Sequence, residues 1–130
     1  RCPRCQQRMR SEGLKNEHEL QSYFVQRMEG YLNKKGKTII GWDEILEGGL
    51  APNATVMSWR GEAGGITAAR QKHDVIMTPG SPLYLNHAQS KNEDSVTQGG
   101  YNPIETIYSY DPVPQELTIE QEKYILGAKL

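Results

Sequence analysis

Two tryptophans seventeen residues apart carry the strongest chemical signal in this sequence. Each closes a short apolar run, Thr38-Ile39-Ile40-Gly41 before Trp42 and Thr55-Val56-Met57-Ser58 before Trp59, and each is followed at once by charged or glycine residues, Asp43-Glu44 and Arg60-Gly61-Glu62. Such runs read as two strands that each end in an indole. In open α/β sheets and α/β barrels, ligands sit at the carboxyl ends of parallel strands. An indole face there matches the apolar C–H face of a pyranose or an acetamido methyl, with nearby polar groups to fix hydroxyls; the competing use is core packing, because an indole buries a large apolar area.

Other residues have chemistry of their own. Asp43-Glu44 is an adjacent carboxylate pair suited to acid/base work. Two-carboxylate glycosidases hold their groups roughly 5 to 9.5 Å apart, a distance that neighbours at a strand end can reach; Glu44 serves equally well as the cap of the following turn. Tyr84 and Asn86, in Tyr84-Leu85-Asn86-His87, follow a rigid Pro79-Gly80-Ser81-Pro82 turn. Tyr84 can donate its hydroxyl to a substrate carbonyl and Asn86 can bond sugar hydroxyls, although loop residues of these types are also ordinary surface. His73 and His87 have no partner identifiable from spacing and read as satisfied histidines. Cys2 and Cys5 form a C-x-x-C around a proline, open to three readings: structural or incidental thiols, a disulfide, or half of a metal knuckle. The zinc reading lacks the H-x₃₋₅-H spacing among His18, His73 and His87 that would complete four ligands, and the redox reading lacks a βαβ context upstream.

The elements that must position these residues follow from periodicity. Asn16 with Glu19 three residues on resembles a capping box. Leu20, Tyr23, Phe24, Met28, Tyr31 and Leu32 then recur at three- and four-residue steps, which predicts a helix of about 18 residues whose aromatic face packs on a sheet as core. Lys34, Lys35 and Gly36 end it. Residues 37–42 read as a buried strand, 43–54 as a minimal crossover with a short helical turn, and 55–59 as a second strand. A helix over 63–72 and a third strand over 73–78 complete a parallel α/β order. An elaborated loop follows, then a short helix over 103–110 with proline at its first position, and residues 124–130 begin a further apolar run.

Composition adds bounds. Fifteen basic residues against sixteen acidic ones give a net charge of −1, so nothing points to a nucleic-acid or membrane partner. No apolar stretch approaches the roughly 20 residues needed to span a bilayer. With 36% hydrophobic residues and a single Phe, the core is polar for a free-standing fold. Three strands and the start of a fourth do not close a sheet, and a (β/α)₈ barrel takes about 250 residues. The fold class expected is therefore α/β, a partial TIM (β/α)₈ barrel, with 1–130 as one incomplete piece of a catalytic barrel.

GWDEI at 41–45, MSWRG at 57–61, DVIMTP at 74–79 and PLYLN at 82–86 together resemble the later part of the catalytic barrel of family 20 glycoside hydrolases, the β-N-acetylhexosaminidases. The likeness runs from the CPRCQ segment to the ILGAKL stub and implies about strands five to seven and the start of eight. These enzymes remove terminal β-linked N-acetylglucosamine or N-acetylgalactosamine with retention, by the substrate-assisted route in which the 2-acetamido oxygen attacks the anomeric carbon and forms an oxazolinium ion. In the family an aspartate orients that group and a neighbouring glutamate protonates the leaving oxygen, both within an H-x-G-G-D-E motif at the end of the fourth strand. That motif is absent here, and its place falls just before Arg1, so the resemblance implies no catalytic residue in this piece and does not make Asp43-Glu44 the pair.

What the resemblance carries over is substrate binding: Trp42 and Trp59 as apolar walls around the acetamido methyl, and Tyr84 as donor to the acetamido oxygen. Asn86 stands where many members have an aspartate that bonds the outer hydroxyls; the amide keeps an acceptor, adds donors and loses the charge. The family's third tryptophan and a glutamate on the eighth strand lie beyond Leu130. The partner implied is a glycan containing N-acetylhexosamine, without cofactor or metal, in a periplasmic, extracellular or lysosomal setting. A non-catalytic carbohydrate-binding or scaffold module using the same indoles is the rival expectation.

Overall fold

A computed structural model describes residues 2–92, 97 and 99–130. Cys2 caps a first helix, α1 (Pro3–Glu12), with proline in its first turn and Gly13 closing it at φ 69°. Asn16 then caps α2 (Glu17–Asn33), its Oδ1 accepting the Glu19 backbone N–H at 3.0 Å. Glu19 reaches back as the sequence suggests, but to the Lys15 N–H at 2.8 Å, one residue beyond the usual capping box. Gly36 takes φ 68° behind the helix, and the Lys37 N–H returns to the Leu32 carbonyl at 3.1 Å.

Four strands follow in one sheet: β1 (Ile40–Trp42), β2 (Thr55–Ser58), β3 (Val75–Met77) and β4 (Ile125–Ala128), in spatial order β1-β2-β3-β4 and all parallel. The expected crossover turn is a 3₁₀ turn over Asp43–Leu46. Helix α3 (Ala63–Arg70) joins β2 to β3. The short helices α4 (Gly80–Leu83), α5 (Ile104–Tyr108) and α6 (Ile119–Glu122) lie between β3 and β4. Of the loop expected after the third strand, 93–96 and 98 lie outside the described residues. Pro103 caps α5 instead of occupying its first turn. Helix α6, which periodicity did not reveal, is marked by Thr118 and Gln121, whose Oε1 accepts the Thr118 N–H at 3.1 Å.

Strand alternation divides the side chains between two faces. Val56, Val75 and Met77 point to one face and form, with Ala68, Ala69 and Leu117, a fully buried core under α3. Gly65 allows this close approach, since a Cβ there would stand 2.6 Å from the Met77 sulfur. The register Trp42↔Met57↔Ile76 assigns those three to the other face, where Ile40 and Trp42 are 58% and 46% exposed. No described helix packs across that second face.

Helix α2 corrects the sequence expectation. Its buried residues are Ser22 and Glu29, whereas Phe24, Met28 and Tyr31 are exposed. The reason lies in the crossover loop, whose backbone needs partners: the Ser22 hydroxyl donates to the Gly49 carbonyl at 2.5 Å, and the Glu29 carboxylate accepts the Asn53 N–H at 2.6 Å. Buried backbone groups must be hydrogen-bonded, so the polar stripe faces the loop and the apolar stripe forms a groove with α1, lined by Leu20, Tyr23, Phe24 and Met28 among others.

The same contact makes Gly48 irreplaceable. It holds φ 80°, and a Cβ would meet the His18 carbonyl oxygen at 2.2 Å. Gly48→Ala should destabilise the protein by more than about 1 kcal/mol, read as a lower urea midpoint with an unchanged slope.

Candidate functional site

Trp42, Trp59 and Tyr84 stand at or just beyond the carboxyl ends of β1, β2 and β3, three adjacent parallel strands. Trp42 ends β1 half-exposed, while Trp59 follows β2 and Tyr84 closes α4, both partly buried. The backbone couples the last two: the Gly80 N–H donates to the Trp59 carbonyl at 2.9 Å, and the Tyr84 N–H to the Gly80 carbonyl at 3.0 Å. Buried Asn102 holds the same turn from behind, its amide donating to the carbonyls of Pro82 and, at 3.1 Å, Tyr84. The Tyr84 ring lies tilted against His87, centroids 6.5 Å apart. Asn86 is exposed and has a polar or ring contact of its own.

Asp43 is the most constrained carboxylate of the site. It is 2% exposed, and it accepts the backbone N–H groups of Trp59 (3.0 Å) and Arg60 (3.1 Å) on Oδ2 and the Arg60 Nε on Oδ1 at 2.6 Å. Glu44 turns toward the indole instead, and Trp59 Nε1 donates to both of its oxygens at 3.1 and 3.0 Å. Arg60 extends the network to Glu47 at 2.8 Å, and His18 Nδ1 lies 2.9 Å from the other Glu47 oxygen. The pair that sequence alone offers for acid/base chemistry is thus occupied in holding the turn after β2.

Ser58 and α3 close that turn from below. The Ser58 hydroxyl donates to the Gly61 carbonyl at 2.6 Å and accepts the Gly65 N–H at 2.8 Å. A Cβ at Gly64 would stand 2.8 Å from Asp43 Cβ, so glycine is what lets the helix start approach the carboxylate.

The remaining candidates fall outside this edge. His73 Nδ1 bonds the Ala54 carbonyl at 2.9 Å, a satisfied histidine as expected. Cys2 and Cys5 are free, exposed thiols on α1, and no group of three or more metal-ligating side chains occurs among the described residues. Bonding from the Cys5 backbone N–H and thiol, and then the Arg4 N–H, lowers the Cys2 thiol below its usual range, while the neighbouring Cys2 raises Cys5. Sequence reasoning missed Arg60 and Asn102. Arg60 had a signal in the M-S-W-R-G run, as the cation next to a strand-end tryptophan; Asn102 had none.

A parallel α/β sheet thus carries two indoles, a tyrosine and fixed carboxylates along the side where its strands end, the side on which α/β proteins bind ligands. The family description "Glycosyl hydrolase family 20, catalytic domain" matches residues 1–130, and the chain belongs to that family. A β-hexosaminidase of Porphyromonas gingivalis is 61% identical over 130 residues, which are 98% of this chain and 17% of that protein. One from Vibrio furnissii is 37% identical, the match taking in 85% of this chain and 19% of the relative. Among solved structures, the Vibrio harveyi GH20 exo-β-N-acetylglucosaminidase in complex with N-acetylglucosamine superposes with a TM-score of 0.79 at 32% identity, over 97% of this chain and 20% of that one. The chain therefore spans about a fifth of the length of these relatives.

The Arg60 guanidinium, with a lesser contribution from His18, holds the Glu47 carboxyl below the usual carboxylate range. A folded-state pKa below the unfolded one contributes stability that is present above the unfolded value, about 4.3, and is lost as pH falls through the folded value. Wild type should therefore melt above Glu47→Gln at neutral pH, with the difference in Tm shrinking as pH falls below the unfolded-state value and through the lowered folded-state one.

Proposed function

We propose that residues 1–130 form part of the (β/α)₈ catalytic barrel of a retaining β-N-acetylhexosaminidase, about strands five to seven and the start of eight, and that they supply the acetamido pocket. The observation that carries this reading is the placement of Trp42 and Trp59 at the ends of two adjacent parallel strands, with Tyr84 closing the short helix that follows the third, together with the family membership. The sheet face that no described helix covers supports it as well. Parallel sheets are buried on both faces, and a face bearing Ile40, Trp42, Met57 and Ile76 suits a barrel interior.

In the reaction, the substrate's 2-acetamido oxygen attacks the anomeric carbon as the glycosidic bond breaks, giving the oxazolinium ion that water then opens with net retention. Trp42 and Trp59 wall the methyl so that the oxygen stays in attack geometry, the proximity advantage of an intramolecular nucleophile. Tyr84 donates to the acetamido oxygen, and Asn86 bonds the outer hydroxyls of a terminal N-acetylglucosamine or N-acetylgalactosamine. The orienting aspartate and the general acid come from outside these residues.

In the full-length protein, Trp59→Ala should lower kcat/KM on a chromogenic N-acetyl-β-glucosaminide by more than about tenfold, ~1.4 kcal/mol of transition-state stabilisation; a wild-type value overturns the pocket assignment. Residues 1–130 expressed alone should not turn that substrate over. Genuine turnover would sink the claim that the acid lies elsewhere, and saturable sugar binding by a full-length protein without hydrolysis would favour the binding-module reading.

A further inference from the structure

We propose that Glu44 is a positioning residue for catalysis, fixing the rotation of the Trp59 ring so that the indole is set as a wall before substrate arrives; this rests on the acetamido-pocket reading above. The main chain at Trp59 is already held, its N–H by Asp43 at 3.0 Å and its carbonyl by the Gly80 N–H at 2.9 Å. The freedom left is in the two side-chain torsions, and the ring is partly exposed, so core packing does not remove it. The bond from Nε1 to both Glu44 oxygens does. A donor shared between two carboxylate oxygens is charge-assisted and directional.

Glu44 is itself anchored. It lies in the 3₁₀ turn, and its carbonyl accepts the Gln21 side-chain amide at 2.9 Å and the Glu47 N–H at 3.0 Å. Its neighbour Asp43 fixes the partner loop. Both halves of the contact are therefore set before any ligand binds, and the cost of ordering the ring is met on folding instead of on binding.

The consequence falls on kcat more than on KM. The internal nucleophile must lie about 3 to 3.5 Å from the anomeric carbon, and a misplacement of about 1 Å can cost on the order of 10²-fold. A loose ring still contributes apolar contact, so ground-state affinity changes less. This role also separates Glu44 from general acid/base work. A glutamine keeps an acceptor for the indole N–H but cannot transfer a proton as a carboxylic acid does.

The test uses the full-length enzyme with ¹⁵N-labelled indoles. Glu44→Ala should speed hydrogen exchange at Trp59 Nε1, whose signal is assigned by its loss in Trp59→Phe, and should lower kcat by roughly ten- to a hundredfold with KM changed less than about threefold. Glu44→Gln, which keeps one acceptor but loses the charge and the second oxygen, should lose clearly less kcat than Glu44→Ala, with KM changed less than about threefold. Replacing Trp59 by its benzothiophene isostere deletes the N–H donor at constant ring size; it should reproduce the kcat loss without touching Glu44, which keeps the test open if Glu44→Ala fails to fold. In that background Glu44→Ala should have no further effect.

Unchanged exchange in Glu44→Ala overturns the proposal. So does a Glu44→Gln variant as impaired as Glu44→Ala, or a full additional loss in the isostere background. Faster exchange with wild-type kinetics shows that the carboxylate holds the ring but the ring does not touch the reacting group; the pocket reading then fails, and this proposal with it.

Discussion

A carboxylate that is 2% exposed must be paired or neutralised, and Asp43 is paired with donors drawn entirely from the loop after the next strand. Two backbone N–H groups and a guanidinium converge on it, so the turn at Trp59-Arg60 has little latitude left. From this one buried anion the rest of the edge follows. Glu44, one residue on, comes within reach of the indole. Arg60, drawn in at one nitrogen, presents another to Glu47, and Glu47 meets His18 near the start of α2. The price is local: the start of α3 can approach Asp43 only without a side chain at position 64.

The second half of the edge is built differently. Beyond β3, polar contacts organise the turn that carries Tyr84. Asn102 reaches back eighteen residues to the Tyr84 carbonyl, and the Asn102 N–H bonds the Ala88 carbonyl at 2.9 Å. The bond between the Gly80 N–H and the Trp59 carbonyl, beside that from the Thr78 N–H to the Ser58 carbonyl, ties this loop to the Asp43 system. Trp59 and Tyr84 are thus connected through main chain, a stiffer link than contact between two rings.

The two faces of the sheet describe the larger architecture. One is sealed by Ala68 and Ala69 of α3 against Val56, Val75 and Met77; the other carries Ile40, Trp42, Met57 and Ile76, and no helix among the described residues covers it. The apolar stripe of α2 is likewise turned to solvent. Both surfaces are consistent with a chain that spans about a fifth of the relatives it matches.

The sequence by itself determined the order of the four strands and of helices α2, α3 and α5, because apolar runs, caps and glycines act locally; α1, α4 and α6 were not legible in it. β-branched Thr38-Ile39-Ile40 and Thr55-Val56 mark strands, Asn16 and Gly36 bracket a helix, and each tryptophan falls at a strand end whatever the tertiary arrangement. The family resemblance was legible for the same reason, as short motifs at fixed spacing. Tertiary structure alone decided what the charged residues do. Whether Asp43 and Glu44 act on a substrate or on the protein depends on which donors lie within about 3 Å, and those come from residues 15 to 17 positions away across a strand pair. The facing of α2 was decided in the same way: its periodicity is identical on either side of the argument, and the unpaired backbone groups of a loop more than twenty residues on, at Gly49 and Asn53, chose which stripe turned inward.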